Sequence, residues 1–156
     1  MNLNKPMNII LNSEPVRVGF IPLIDCAPFV IKTAMQTSFT VSHNGNGITI
    51  GNVLYEQLQQ YANSSAEIRC GIALKRYINS RDPQSEPLRF AMVYPYSSHN
   101  YQLRDWLGCA GIDSDKDVQI IVVPPVKMVD SLKNGEIDGY CVGEPWNSLA
   151  VEQGAG

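Results

Sequence analysis

Apolar positions along the 156-residue chain switch between a period of two and a period near 3.6, and the switches predict its elements. "VRVGFIPL" (Val16 to Leu23) reads as a first strand, and a second is expected at about Ser38 to His43. Val53, Leu54, Leu58 and Tyr61 recur at helical spacing, predicting a helix from Asn52 to Tyr61. "IALKRYIN" reads as a further helix and "SRDPQSEP" as a linker. From Leu88 the pattern sharpens: "LRFAMVY" is a strand, and Leu103, Trp106, Leu107 and Ala110 line one face of the next helix, with Gly111 at its C-terminal cap. "VQIIVVP" is a nearly continuous β-branched run, as expected of a strand covered on both faces. Val129 and Leu132 mark a helix ended by Asn134-Gly135, "IDGYCVG" is a third strand, and "EPWNSLAVEQG" opens a loop and another helix.

The order β-α-β-α-β-α predicts an α/β fold with a mostly parallel sheet and right-handed crossovers. Ligands of such sheets sit beyond the carboxyl ends of the strands. Three polar loops are expected to converge there: "HNGNG", "PYSSHN" and "GEPWN". The turn Ser97-Ser98-His99-Asn100 combines hydroxyls, an imidazole and the unbonded N–H groups of a helix start, which suits a small anion. The structural alternative has Ser98 merely capping the helix, with His99 in solvent. Glu144-Pro145-Trp146 offers a carboxylate, a rigid residue and a large aromatic as a pocket wall; alternatively, Trp146 packs in the core while Glu144 caps the next helix.

Composition narrows the class. Hydrophobic residues make up 44% and charged ones 17%, the balance of a globular protein rather than a disordered one. A net charge of -3 with scattered Lys and Arg gives no footprint for direct nucleic-acid binding. Cys26, Cys70, Cys109 and Cys141 form no CxxC pair, so neither a metal site nor a disulfide scaffold is expected, and no cofactor is implied. "MNLNKPMNIILNSEP" lacks the apolar core of a secretory signal, and no stretch reaches membrane-spanning length. As written, the chain is expected in the cytoplasm; an incomplete N-terminus changes the expectation to the periplasm.

Two patterns point to an enzyme instead. Gly45, Gly47 and Gly51 follow a predicted strand with a spacing reminiscent of a dinucleotide loop, although Asn-Gly between "FTVSH" and "ITI" also makes a plain hairpin turn. "GYCVG" places Cys141 where a nucleophile elbow has its serine, but no histidine follows it in the chain. A small α/β enzyme using Cys141 or a nucleotide at Gly45–Gly51 is therefore the alternative to a binding protein.

"VRVGFIPLIDCAPFV", "HNGNGITI", "FAMVYPYSSHNYQLRDWLGCAGI" and "IIVVPPVKMVDSLKNGEIDGYCVGEPWNSLAVEQGAG" resemble, in that order, the nitrate-binding proteins of the NrtA/CmpA type. The resemblance covers most of residues 16–62 and 88–156. It implies a two-lobed, type II periplasmic-binding-protein-like fold and a non-catalytic role. Members are receptors of ABC importers for nitrate, nitrite or bicarbonate, or NasS-type sensors that release a NasT-type antiterminator. The implied partners are thus nitrate or nitrite, with bicarbonate behind them, and either a NasT-type antiterminator or an ABC permease.

Two departures from the family pattern imply an internally deleted, C-terminally truncated fragment. Residues 1–32 would be a remnant of the first lobe and 33–156 an incomplete second lobe. Carried over by position, His99 matches the family's anion-contacting histidine, and Asn46, beside Gly47, stands where importers have a glutamine. Ser98 and Asn100 flank His99, while Glu144 and Trp146 match the "EPW" segment. The family's first-lobe aromatic and late lysine have no counterpart, which implies weakened binding: each lost charge-assisted contact removes about 1.5–3 kcal/mol.

Overall fold

The computed structural model describes residues 45–156. The strands expected at Val16–Leu23 and Ser38–His43 lie outside them, as do residues 1–32. Within the described residues the elements run β1 (Asn46–Ile50), α1 (Asn52–Gln59), α2 (Ser65–Arg69), α3 (Ile72–Ser80), β2 (Leu88–Met92), α4 (Ser98–Cys109), β3 (Val118–Val122), α5 (Pro125–Lys133), β4 (Gly139–Gly143) and α6 (Trp146–Glu152). The four strands form one mixed sheet in the order β1-β4-β2-β3. β2 runs parallel to both β3 and β4, as the sequence predicts, whereas β1 is antiparallel to β4.

Period-two alternation sorts the side chains onto two faces. Leu88, Phe90, Val118 and Cys141 point to one face and meet Leu54, Leu58, Ile68, Leu74, Leu103 and Leu107 from the first four helices. Ala91, Tyr140 and Val142 point to the other, where Met128, Val129 and Leu132 of α5 and Ala150 of α6 cover them. With helices on both faces, β2 and β4 need apolar residues at successive positions, whereas β3, expected to be covered on both faces, ends the described sheet with Gln119 and Val122 exposed. From β2 the chain crosses through α4 to β3, then returns through α5 to β4 on the far side of β2. These opposite crossovers explain why α4 and α5 cover opposite faces, and they leave a crevice at the carboxyl ends of β2 and β4.

Local chemistry ends α4 and α5 where the sequence says they end. After α4, Gly111 takes a φ of +76°, its N–H bonds the Gly108 carbonyl, and the Ile112 N–H reaches back to Leu107. Leu107 and Ile112 are both buried, completing the apolar contact of a Schellman motif. Gly135 (φ +68°) closes α5 in the same way, with the Glu136 N–H on the Ser131 carbonyl. Helix α1 stops at Gln59, two residues before the expected Tyr61. A short additional helix, α2, occupies part of the region between the predicted helices.

Gly139 marks the tightest approach in the sheet. A Cβ there would lie 2.9 Å from both Phe90 Cε1 and the Thr49 carbonyl oxygen. The carbonyl is backbone and cannot swing away, so Gly139→Ala is expected to lose about 2 kcal/mol or more through overpacking. A denaturant melt checks this; an unchanged midpoint would show that β1 and β4 can separate without cost.

On the surface, Glu67 accepts from Arg76 at 2.7 Å and from the Asn63 backbone N–H at 2.8 Å. The Arg76 bond first, then the Asn63 N–H, hold its carboxyl down from 4.5 to about 2. A lowered folded-state value means that this stabilisation is complete above pH 4.5 and is lost as pH falls toward 2. Glu67→Gln should therefore melt below the parent at neutral pH, with the gap closing across that window. A gap independent of pH would remove Glu67 as its cause.

Candidate anion-binding site

The antiparallel direction of β1 decides what gathers at the crevice. Parallel strands β2 and β4 deliver their carboxyl ends there, but β1 delivers its start, where Asn46 pairs with Gly143. Asn46 Nδ2 donates to Ser98 Oγ at 2.8 Å, joining the beginning of β1 to the first turn of α4. The three polar loops expected to converge thus do meet, through Asn46, Ser98 and Gly143. The expectation that Gly45–Gly51 forms a glycine loop after a strand is corrected: Gly47 lies inside β1, paired with Val142, because Ile48 and Ile50 pull this segment into the core.

The first turn of α4 also differs from the simple capping alternative. Ser97, not Ser98, is the N-cap: its Oγ accepts from the Asn100 N–H at 3.4 Å and donates to the Tyr94 carbonyl at 2.6 Å. Ser98 is thereby left for Asn46. Because its oxygen accepts from an amide N–H, its own hydroxyl proton is polarised for donation. His99 is buried at 7% exposure rather than in solvent. Asn100 is buried too, but its amide is engaged locally, donating to the Pro95 carbonyl at 2.6 Å and accepting from Arg104 Nε at 3.1 Å. Its role in the turn is to hold the loop that presents Ser98 and His99.

Glu144 and Trp146, expected as a pocket wall, each have partners within the fold. The Glu144 carboxylate is exposed and accepts from the Ser148 N–H at 3.1 Å, so it caps the start of α6. A carboxylate also repels an anion. The Trp146 side chain is half-buried against the second apolar cluster, and its carbonyl accepts from the buried Tyr140 hydroxyl at 2.9 Å. Burial pushes the Tyr140 phenol above its ordinary value; the Thr49 hydrogen bond opposes this and the Glu144 charge adds to it.

Sequence reasoning missed Thr49 and Asn147. Thr49 is buried, and its hydroxyl donates to Asn147 Oδ1 at 2.8 Å. Asn147 Nδ2 in turn donates to the Val142 carbonyl at 2.8 Å. A polar residue at the buried fourth position of "NGITI" was the available signal, and its partner is 98 residues away. Cys141 is corrected as an elbow nucleophile: it lies in the middle of β4 at 1% exposure, whereas an elbow needs an exposed strand-to-helix turn.

A family model described as NMT1-like matches residues 31–156. The chain belongs to the NMT1-like family. Its fold is shared with the crystal structure of the periplasmic nitrate-binding protein NrtA from Synechocystis, at TM-score 0.58 and 32% identity over 72% of this chain and 26% of that one. Among curated relatives, a nitrate/nitrite binding protein NrtA from Synechococcus elongatus is 30% identical over 97% of this chain and 30% of its own length. The bicarbonate transport ATP-binding protein CmpC of the same species is 41% identical over 77% of this chain and 16% of its own length. The chain therefore spans less than a third of each of these relatives. The type II binding-protein-like α/β lobe expected from sequence is the fold observed.

The two serines of the turn are separable by experiment. Ser97→Ala removes the helix cap and should cost about 1 kcal/mol. Ser98→Ala removes only a part-buried side-chain bond and should cost less than half of that. Equal losses in parallel denaturant melts would contradict this division of labour.

Proposed function

We propose that this NMT1-like chain is a non-catalytic binding domain for a small oxyanion, nitrate or nitrite ahead of bicarbonate. The observation that carries the reading is the Asn46–Ser98 bond at 2.8 Å, which seats an amide and a hydroxyl beside buried His99 at the switch-point crevice. Nitrate is planar and weakly hydrated, so it is held by several donors around its edge in a place that excludes water. In this reading Asn46, Ser98 and His99 donate, Gly47 holds the start of β1 beside Asn46, Asn100 shapes the α4 turn, and Glu144 and Trp146 form the supporting wall. The names of the NrtA relatives agree in ligand class.

The described residues supply one wall of donors. Without donors on a facing wall, such a site binds weaker by orders of magnitude, at about millimolar affinity. As a sensor, the protein would act in the cytoplasm through a NasT-type antiterminator; as a receptor, it would deliver its anion to an ABC permease from the periplasm. Among the described residues, no helix is long and apolar enough to cross a membrane. The 1–32 and 33–156 division belongs to this same proposal.

A thermal melt of the full chain, followed by Trp106 and Trp146 fluorescence, tests it. Millimolar nitrate should raise the midpoint by mass action where equal chloride does not. His99→Ala should abolish the shift. Equal responses to nitrate and chloride, or none to nitrate, would overturn the reading. Cys141→Ala should keep the nitrate shift, whereas loss of that shift would favour the thiol.

A further inference from the structure

We infer that Asn147, acting with Thr49, is a positioning residue that sets the register of β1 and so holds Asn46 against Ser98. The proposal rests on the anion-site reading for what the positioning serves. Among the described residues, β1 is an edge strand of five residues, paired there with β4 only, with glycine at Gly47 and just before its start at Gly45. A short, glycine-containing edge strand specifies its register weakly, and a slip of one residue turns every side chain to the opposite face. Such a slip would carry Asn46 away from the crevice and put Thr49 in the wrong layer.

Asn147 opposes that slip at three points. Its Oδ1 accepts from the Thr49 hydroxyl at 2.8 Å, and its Nδ2 donates to the carbonyl of Val142 at 2.8 Å. Val142 is the partner of Gly47 across the ladder. The Asn147 amide also occupies the space beside Gly47, where a Cβ would come within 3.1 Å of Nδ2. One side chain from α6 thus bonds β4, bonds β1 and fits against the β1 glycine. Asn46 is the immediate neighbour of that glycine and the third residue before Thr49. A Cβ at Gly47 would therefore crowd the Asn147 amide.

The test uses the full, isotope-labelled chain without ligand. Asn46→Ala identifies the Asn46 side-chain amide by NMR. In Thr49→Val, which keeps the side-chain shape, and in Asn147→Ala, that amide should lose its Ser98-bonded shift and exchange about twofold faster, the effect of one weak hydrogen bond. Thr49→Ser restores the hydroxyl and should return both towards the parent. If Thr49→Val folds and its Asn46 amide keeps the parent shift and exchange, the inference is overturned, even if the melting temperature falls. The same variants titrated with nitrate should bind about tenfold more weakly. A parent that ignores nitrate while its variants release Asn46 would overturn the anion reading and support the positioning.

Discussion

The antiparallel pairing of β1 with β4 is the constraint on which the site depends. Loops at the carboxyl ends of parallel strands are brought together by any doubly wound sheet. A strand running the other way contributes its beginning at that edge. Asn46 is the first residue of β1, and only this direction sets it opposite Gly143 and within 2.8 Å of Ser98. Gly139 makes the pairing close, since a side chain there would meet both Phe90 and the Thr49 backbone.

Stability comes chiefly from the two apolar layers. Phe90, Leu103, Leu107 and Tyr140 are fully buried, and burying a large apolar side chain contributes about 1.5–3 kcal/mol. Ion pairs such as Lys75–Asp117 and Arg104–Asp115 bind loops to helices on the surface, where solvent screening keeps each contribution small. The helix ends add local order through glycines at positive φ. The polar groups at the crevice lie beside these layers, with Thr49, His99 and Asn100 themselves buried.

At the crevice, the polar residues divide by what their hydrogen bonds already do. Ser97 and Asn100 are engaged within the α4 turn, Glu144 within the start of α6, and Thr49 and Asn147 with each other. Asn46 and Ser98 instead bond across elements. The Glu144 carboxylate is turned to the Ser148 backbone N–H at the start of α6.

The sequence by itself determined most elements from Leu88 onward, because β-branched runs, helical periodicity and the Gly111 and Gly135 stops are local signals. It also marked the Ser-Ser-His-Asn turn, since a helix start announces its unbonded N–H groups. It could not separate the roles of Ser97 and Ser98, adjacent hydroxyls with the same capping chemistry, until α4 had a defined first residue. The direction of β1 was likewise undetermined: "NGITI" alternates well enough for a strand, but its partner lies nearly a hundred residues away. Tertiary structure alone decided that Gly47 belongs to a ladder, that Trp146 faces the core, and that Thr49 meets Asn147. Each of these is a long-range contact, and strand pairing direction is set by what the two faces of the whole sheet can bury.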